Sequence, residues 1–134
     1  MTPFPLKIVS PDGIKFEGQV EQLTVRTTTG DLGVLAGHTN CVAPLGMAQA
    51  SVVIDEQKRY AACIGGMISI VSGNVHLVAT TFEWANEIDV ARAEASAQRA
   101  QQALSSKDTS DTDIVLAKAR LRRALVRKGV AALK

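Results

Sequence analysis

Arginine is the residue type in this sequence best placed to do chemistry. Asp89, Arg92, Ser96 and Arg99 recur at steps of three and four, so on a helix they share one face. Arg120, Arg123 and Arg127 repeat that spacing further on. The planar guanidinium fork makes bidentate, charge-assisted bonds to phosphate. If the two stripes met, several cations would converge with few carboxylates between them, and partly buried like charges need an anion. A polyphosphate there would neutralise the arginines and fasten the two helices together. In the alternative arrangement the stripes point outward, as solvated faces or toward an acidic partner surface.

Other chemistry is thinly represented. The sequence holds no G-x-x-x-x-G-K-S/T, G-x-G-x-x-G, G-x-S-x-G or H-E-x-x-H pattern. His38 and Cys41 are near in sequence, but Cys63 and His76 do not complete a metal-ligand spacing. No metal site and no catalytic residue is expected, and the chain reads as a non-enzyme. Two cysteines are too few for a disulfide framework, so Cys41 and Cys63 are expected as buried free thiols of a reducing cytoplasm, with a disulfide between them as the lesser alternative. Met1-Thr2-Pro3-Phe4-Pro5 lacks the basic start and apolar stretch of a secretory signal.

The elements that must position the arginines follow from period. From Phe4 to Thr81 short strands alternate with turn chemistry. Leu6–Val9 precedes Pro11-Asp12-Gly13, and Met47–Ile54 and Lys58–Ile64 flank Asp55-Glu56-Gln57 as a hairpin. Gly65-Gly66 and Ser72-Gly73-Asn74 bracket Ile68 and Ile70, after which Val75, Leu77 and Ala79 form an inward face. This spacing predicts an antiparallel β-sandwich or barrel, with aromatics at only 4% of residues leaving its core to aliphatics.

After Thr81 the pattern becomes helical. Ile88 to Leu104 contains no Gly or Pro and is rich in Ala, with Asn86 or Asp89 as N-cap. A polar hinge at about 105–112 leads to a second helix over Asp113–Lys128, capped by Asp111 or Thr112 and ended by Gly129. Ile114, Ala117, Leu121, Ala124 and Leu125 supply its apolar stripe. A link that short makes an antiparallel hairpin, and its Ala-rich seam buries little area per residue. The expected organisation is a β-sandwich over 1–84 and a weakly held helical hairpin over 85–134. Charge divides along the same line: residues 1–112 hold eight basic and twelve acidic residues, residues 113–134 seven basic and one acidic. An acidic body with a basic end points to an anionic partner. The Gly-rich segment Gly30–His38 reads as a tight loop that either caps the sandwich or offers Leu32, Val34 and Leu35 to a partner.

Four segments carry a family resemblance. Val9-Ser10-Pro11-Asp12-Gly13, Gly30-Asp31-Leu32-Gly33-Val34-Leu35-Ala36-Gly37-His38, Gly65-Gly66 and Ile88-Asp89-Val90-Ala91-Arg92-Ala93 occur in the order found in the epsilon subunit of bacterial F-type ATP synthase, which the chain resembles over essentially its whole length. Asp31 stands where family loops often have Glu, and Ala36 where they often have Pro. The resemblance implies a central-stalk subunit that couples rotation to ATP synthesis, peripheral at the cytoplasmic face of the bacterial cell membrane. Its partners would be the gamma subunit, the c-ring and the catalytic beta subunits. Asp31 and His38 would face the c-ring. Arg120, Arg122, Arg123, Arg127 and Lys128 would contact beta when an extended hairpin blocks ATP hydrolysis. No cofactor is required, but ATP is implied as a regulatory ligand of the folded hairpin. Glu83, Ile88, Asp89, Arg92, Ala93, Arg99, Arg123 and Arg127 stand where such relatives bind it. The competing reading is a nucleic-acid-binding module using the basic second helix, which an acidic body and a tail without aromatics disfavour.

Overall fold

Alternation sets the first strand: Phe4, Leu6, Ile8 and Ser10 are buried along β1 (Phe4–Ser10) while the residues between them are not. The structure, a computed structural model, describes residues 2–106 and 110–133. The remaining strands are β2 (Gly13–Val20), β3 (Gln22–Thr27), β4 (Gly30–Val34), β5 (Cys41–Pro44), β6 (Met47–Ile54), β7 (Gln57–Val71) and β8 (Asn74–Trp84). A 3₁₀ turn at Ala85–Glu87 leads to α1 (Val90–Ser105) and α2 (Asp111–Ala131). The strand order is β2-β1-β8-β7-β6-β3-β4, with β5 also on β7. All pairings are antiparallel except β1 with β8. The β-sandwich followed by two helices is the expected fold class; period by itself leaves a sandwich and a barrel open.

β7 is what turns one run of strands into a sandwich. Its first half pairs with β6 and its second with β5, so one strand serves both layers. Gly65-Gly66, expected to separate two strands, instead bends this single strand at φ values of 68° and 114°. A Cβ on Gly66 would lie 1.9 Å from the Val78 carbonyl oxygen, so no other residue fits there without moving β8. Between the layers Ile8, Val20, Leu23, Val34, Ile68 and Leu77 are fully buried. The expected hairpin at Asp55-Glu56 is present, both residues having positive φ as a tight turn requires.

The hairpin has a different seam. Ala93, Ala97 and Ala100 of α1 are buried, as are Ala117, Ala124 and Ala131 of α2, which recur every seven residues. Leu125, expected in this stripe, lies one residue past the seam and is 51% exposed. The caps also resolve. Asp89 Oδ1 accepts from the Arg92 backbone N–H at 3.0 Å, and Ser110 Oγ, not Asp111 or Thr112, accepts from Asp113 N–H at 3.2 Å. Lys107, Asp108 and Thr109 of the expected hinge lie outside the described residues. Gly129 does not end α2. The helix runs on because Val130 and Ala131 are buried with Ala62, Ala85 and Ile88, which offsets a glycine cost of about 1 kcal/mol.

Candidate functional site

Two clefts open between the hairpin and the sandwich. The first, of about 540 Å³, gathers Lys15 of β2, Glu83 of β8, Glu87 and Asp89 ahead of α1, Arg92, Ala93, Ser96 and Arg99 of α1, and Arg127 of α2. Three of its four carboxylates are already engaged; the fourth, Asp12 of the β1–β2 turn, makes no ion pair among the described residues. Glu83 Oε1 accepts from Arg127 Nε at 2.6 Å, both side chains being more than two-thirds buried. Glu87 accepts from the Trp84 backbone N–H at 3.1 Å and lies 3.8 Å from Lys15 Nζ. Asp89 is spent on its cap. Arg92 and Arg99 are left: among the described residues no carboxylate lies within ion-pair distance of either. Two uncompensated guanidiniums on one helix face, closed over by a second helix, make an anion-binding wall.

Of the eight nucleotide contacts that the family resemblance implies, six line this cleft: Glu83, Asp89, Arg92, Ala93, Arg99 and Arg127. Ile88 does not line the cleft. It is 6% exposed and packs with Ala62, Ala85 and Val130, thereby fixing where Asp89 begins the helix. Arg123, one turn before Arg127, lines the second cleft with Arg122. The Glu83–Arg127 pair spans forty-four positions, which no local pattern could disclose.

The candidate partner contacts are dispersed. Arg120 and Arg122 are exposed on α2, and Lys128 Nζ lies 3.9 Å from Glu94 Oε1 of α1. The segment read as a loop from Gly30 is edge strand β4 as far as Val34, which is fully buried; Leu32 packs on the core and only Leu35 is exposed. Asp31 accepts from Arg26 Nε at 2.6 Å, which raises the Arg26 pKa above its ordinary value. His38 Nδ1 lies 2.8 Å from the Thr39 carbonyl, to which it donates.

Sequence reasoning missed one surface. Pro44, Met67, Val78, Val9 and Ile14 are successive cross-strand partners over β5, β7, β8, β1 and β2. Met67, Val78 and Ile14 are 44%, 54% and 59% exposed, so an apolar row crosses the outside of the sandwich. The available signal was that Val78 is apolar between the inward-facing Leu77 and Ala79, breaking the alternation. Trp84 also has its place: its ring meets Phe82 and Phe16 edge-on at 5.0 and 6.3 Å, and the Arg59 guanidinium stacks on it at 3.9 Å.

Comparison with known proteins agrees with this architecture segment by segment. Residues 3–85 match the model of the ATP synthase delta/epsilon chain β-sandwich domain, and residues 86–131 that of its long α-helix domain. The chain belongs to the ATP synthase delta/epsilon family. It is 39% identical to the ATP synthase epsilon chain of Ruminococcus albus over 98% of both chains. To that of Bacillus licheniformis it is 37% identical over 98% of its own length and 99% of the relative's. A chain in the Euglena gracilis mitochondrial ATP synthase shares the fold at a TM-score of 0.83 and 23% identity, covering all of this chain and 83% of that one. One in the Tetrahymena thermophila mitochondrial ATP synthase central stalk and c-ring does so at 0.61 and 11%, over 95% of each. As a delta/epsilon chain of the epsilon type, the protein is a non-catalytic subunit of the synthase's central stalk and assembles with its other subunits.

Proposed function

We propose that this subunit couples rotation to ATP synthesis through its sandwich and restrains ATP hydrolysis through its hairpin, and that ATP bound in the first cleft holds the hairpin folded. The observation that carries the reading is the convergence of Arg92, Arg99 and Arg127 on one cleft between hairpin and sandwich. Arg92 and Arg99 meet the phosphates, and Glu83, oriented by Arg127, presents its second carboxylate oxygen to the base. Arg123 joins them by turning its guanidinium out of the second cleft, a motion its long side chain permits. A ligand that spans α1, α2 and β8 must favour the folded hairpin, because only that arrangement assembles all its contacts.

The outer apolar row, with Met67, Val78 and Ile14 exposed, is the docking face for the gamma subunit. Leu35, Asp31 and His38 at the end of the sandwich meet the c-ring. In the extended state Arg120, Arg122, Arg123, Arg127 and Lys128 meet acidic segments of beta. No helix among the described residues is long and apolar enough to cross a membrane. The family resemblance supports a subunit held peripherally, through the complex, at the cytoplasmic face of the bacterial cell membrane. Calorimetric titration of ATP into the full chain tests the nucleotide reading: saturable binding should be lost in Arg92→Ala. Absence of heat up to millimolar ATP would sink it. Restraint of hydrolysis is tested by removing residues 88–134, which should relieve inhibition of the assembled synthase's ATPase.

A further inference from the structure

The second cleft is larger, about 840 Å³, and differently charged. One wall is α2, presenting Arg122 and Arg123. The other is the sandwich, where Arg26, Thr28 and Asp31 of the β3–β4 hairpin face it together with Thr80 of β8. Asp31 is the single carboxylate of the lining and is already engaged by Arg26. Among the described residues neither Arg122 nor Arg123 has an ion-pair partner, and the Thr28 and Thr80 hydroxyls have no protein partner. The lining thus carries three guanidiniums against one carboxylate. The first cleft, by contrast, has as many acidic as basic side chains.

Such a lining specifies its ligand by charge and by donor type. Two uncompensated positive charges match a dianion, and guanidinium forks with hydroxyl donors on opposite walls suit a group that presents several oxygens, as phosphate does. Phosphate and its monoesters carry about −1.5 to −2 at neutral pH. We infer that the second cleft is a binding site for a phosphate dianion, separate from the nucleotide cleft, with Arg122 and Arg123 on the helix and Thr28 and Thr80 on the sandwich as its donors. A phosphate there bridges two elements that the chain itself joins only loosely, so its binding also holds α2 against the sandwich. The two readings share only Arg123, which lines this cleft when the first is empty.

Inorganic phosphate titrated into the full chain at constant ionic strength tests it. Saturable binding of one phosphate per chain is expected, with slowed amide exchange over residues 117–126. Loss of a charge-assisted partner in Arg122→Gln should weaken that binding about tenfold, and Thr80→Val several-fold, with circular dichroism reporting that both variants stay folded. Binding in Arg92→Ala should match the parent within about twofold. Glycerol phosphate, run alongside, shows whether the free ion or an ester binds tighter, and either order supports the site. Unsaturable binding, or affinity unchanged in both Arg122→Gln and Thr80→Val, overturns the inference. Loss in Arg92→Ala with retention in Arg122→Gln also overturns it, because phosphate would then be using the nucleotide cleft.

Discussion

The sandwich and the hairpin solve the burial problem with different side chains. Between the sheets lie Phe82, Leu6, Ile8, Leu23 and Ile68, each at most 2% exposed. Between the helices lie alanines, which allow close approach but remove little apolar area from water. What fastens the hairpin to the sandwich is correspondingly small: Val130 and Ala131 among Ala62, Ala85 and Ile88, and the Glu83–Arg127 ion pair. The difference shows how one short chain can hold a permanent element and a detachable one. Large interlocking side chains make the sandwich a single cooperative unit, whereas contacts worth a few kcal/mol can be made or broken by one ligand.

Substitutions in the sandwich should therefore be global and large. Gly66→Ala places a Cβ against the Val78 carbonyl and is expected to cost on the order of 4 kcal/mol, read as a lower denaturant midpoint for the whole chain. A normal midpoint would show that β7 does not need its bend. Ile8→Ala, which empties a fully buried site, should cost about 3 kcal/mol in the same assay.

Substitutions at the fastening should be smaller and local. Val130→Ala is expected to weaken docking of α2 by about 2 kcal/mol. Amide exchange over residues 111–131 should then accelerate while strand amides keep their protection. If the strands lost protection equally, the two regions would be one cooperative unit and the comparison would fail. Arg127→Ala removes an ion pair whose members are more than two-thirds buried; about 1 kcal/mol of hairpin docking should go with it, again without effect on the strands.

The smallest effect is chemical. Burial pushes the Cys63 thiol up to about 12, so a thiolate-seeking reagent at mildly alkaline pH should label Cys41 and leave Cys63 until the sandwich opens. The sign follows from the neutral thiol being favoured in the fold: this contribution to stability is complete below the unfolded thiol's range and is lost as pH rises toward 12. Early labelling of Cys63 would mean that the sandwich opens locally.

By itself the sequence determined what local periodicity and local chemistry control. Alternation along β1, the turn at Asp55-Glu56, the change to helical period after Thr81 and the cap at Asp89 all depend on neighbours a few positions apart. The shared face of Asp89, Arg92 and Arg99 was legible for the same reason, whereas Glu83 and Ala93 came into the first cleft's candidate set only through the family resemblance. Tertiary structure decided the rest, because helical rotation and strand bending are set by distant partners. Gly65-Gly66 reads as a break but becomes a bend once β8 runs alongside β7 from Ala61 to Val71. Gly129 reads as a stop, yet the helix continues where Val130 finds Ala62 and Ile88. Arg123 and Arg127 share one stripe in sequence but fall into different clefts. The rotation of α2 is fixed by Ala117, Ala124 and Ala131 against α1 and the sandwich, and that packing, not the spacing of the arginines, determines which cation meets which anion.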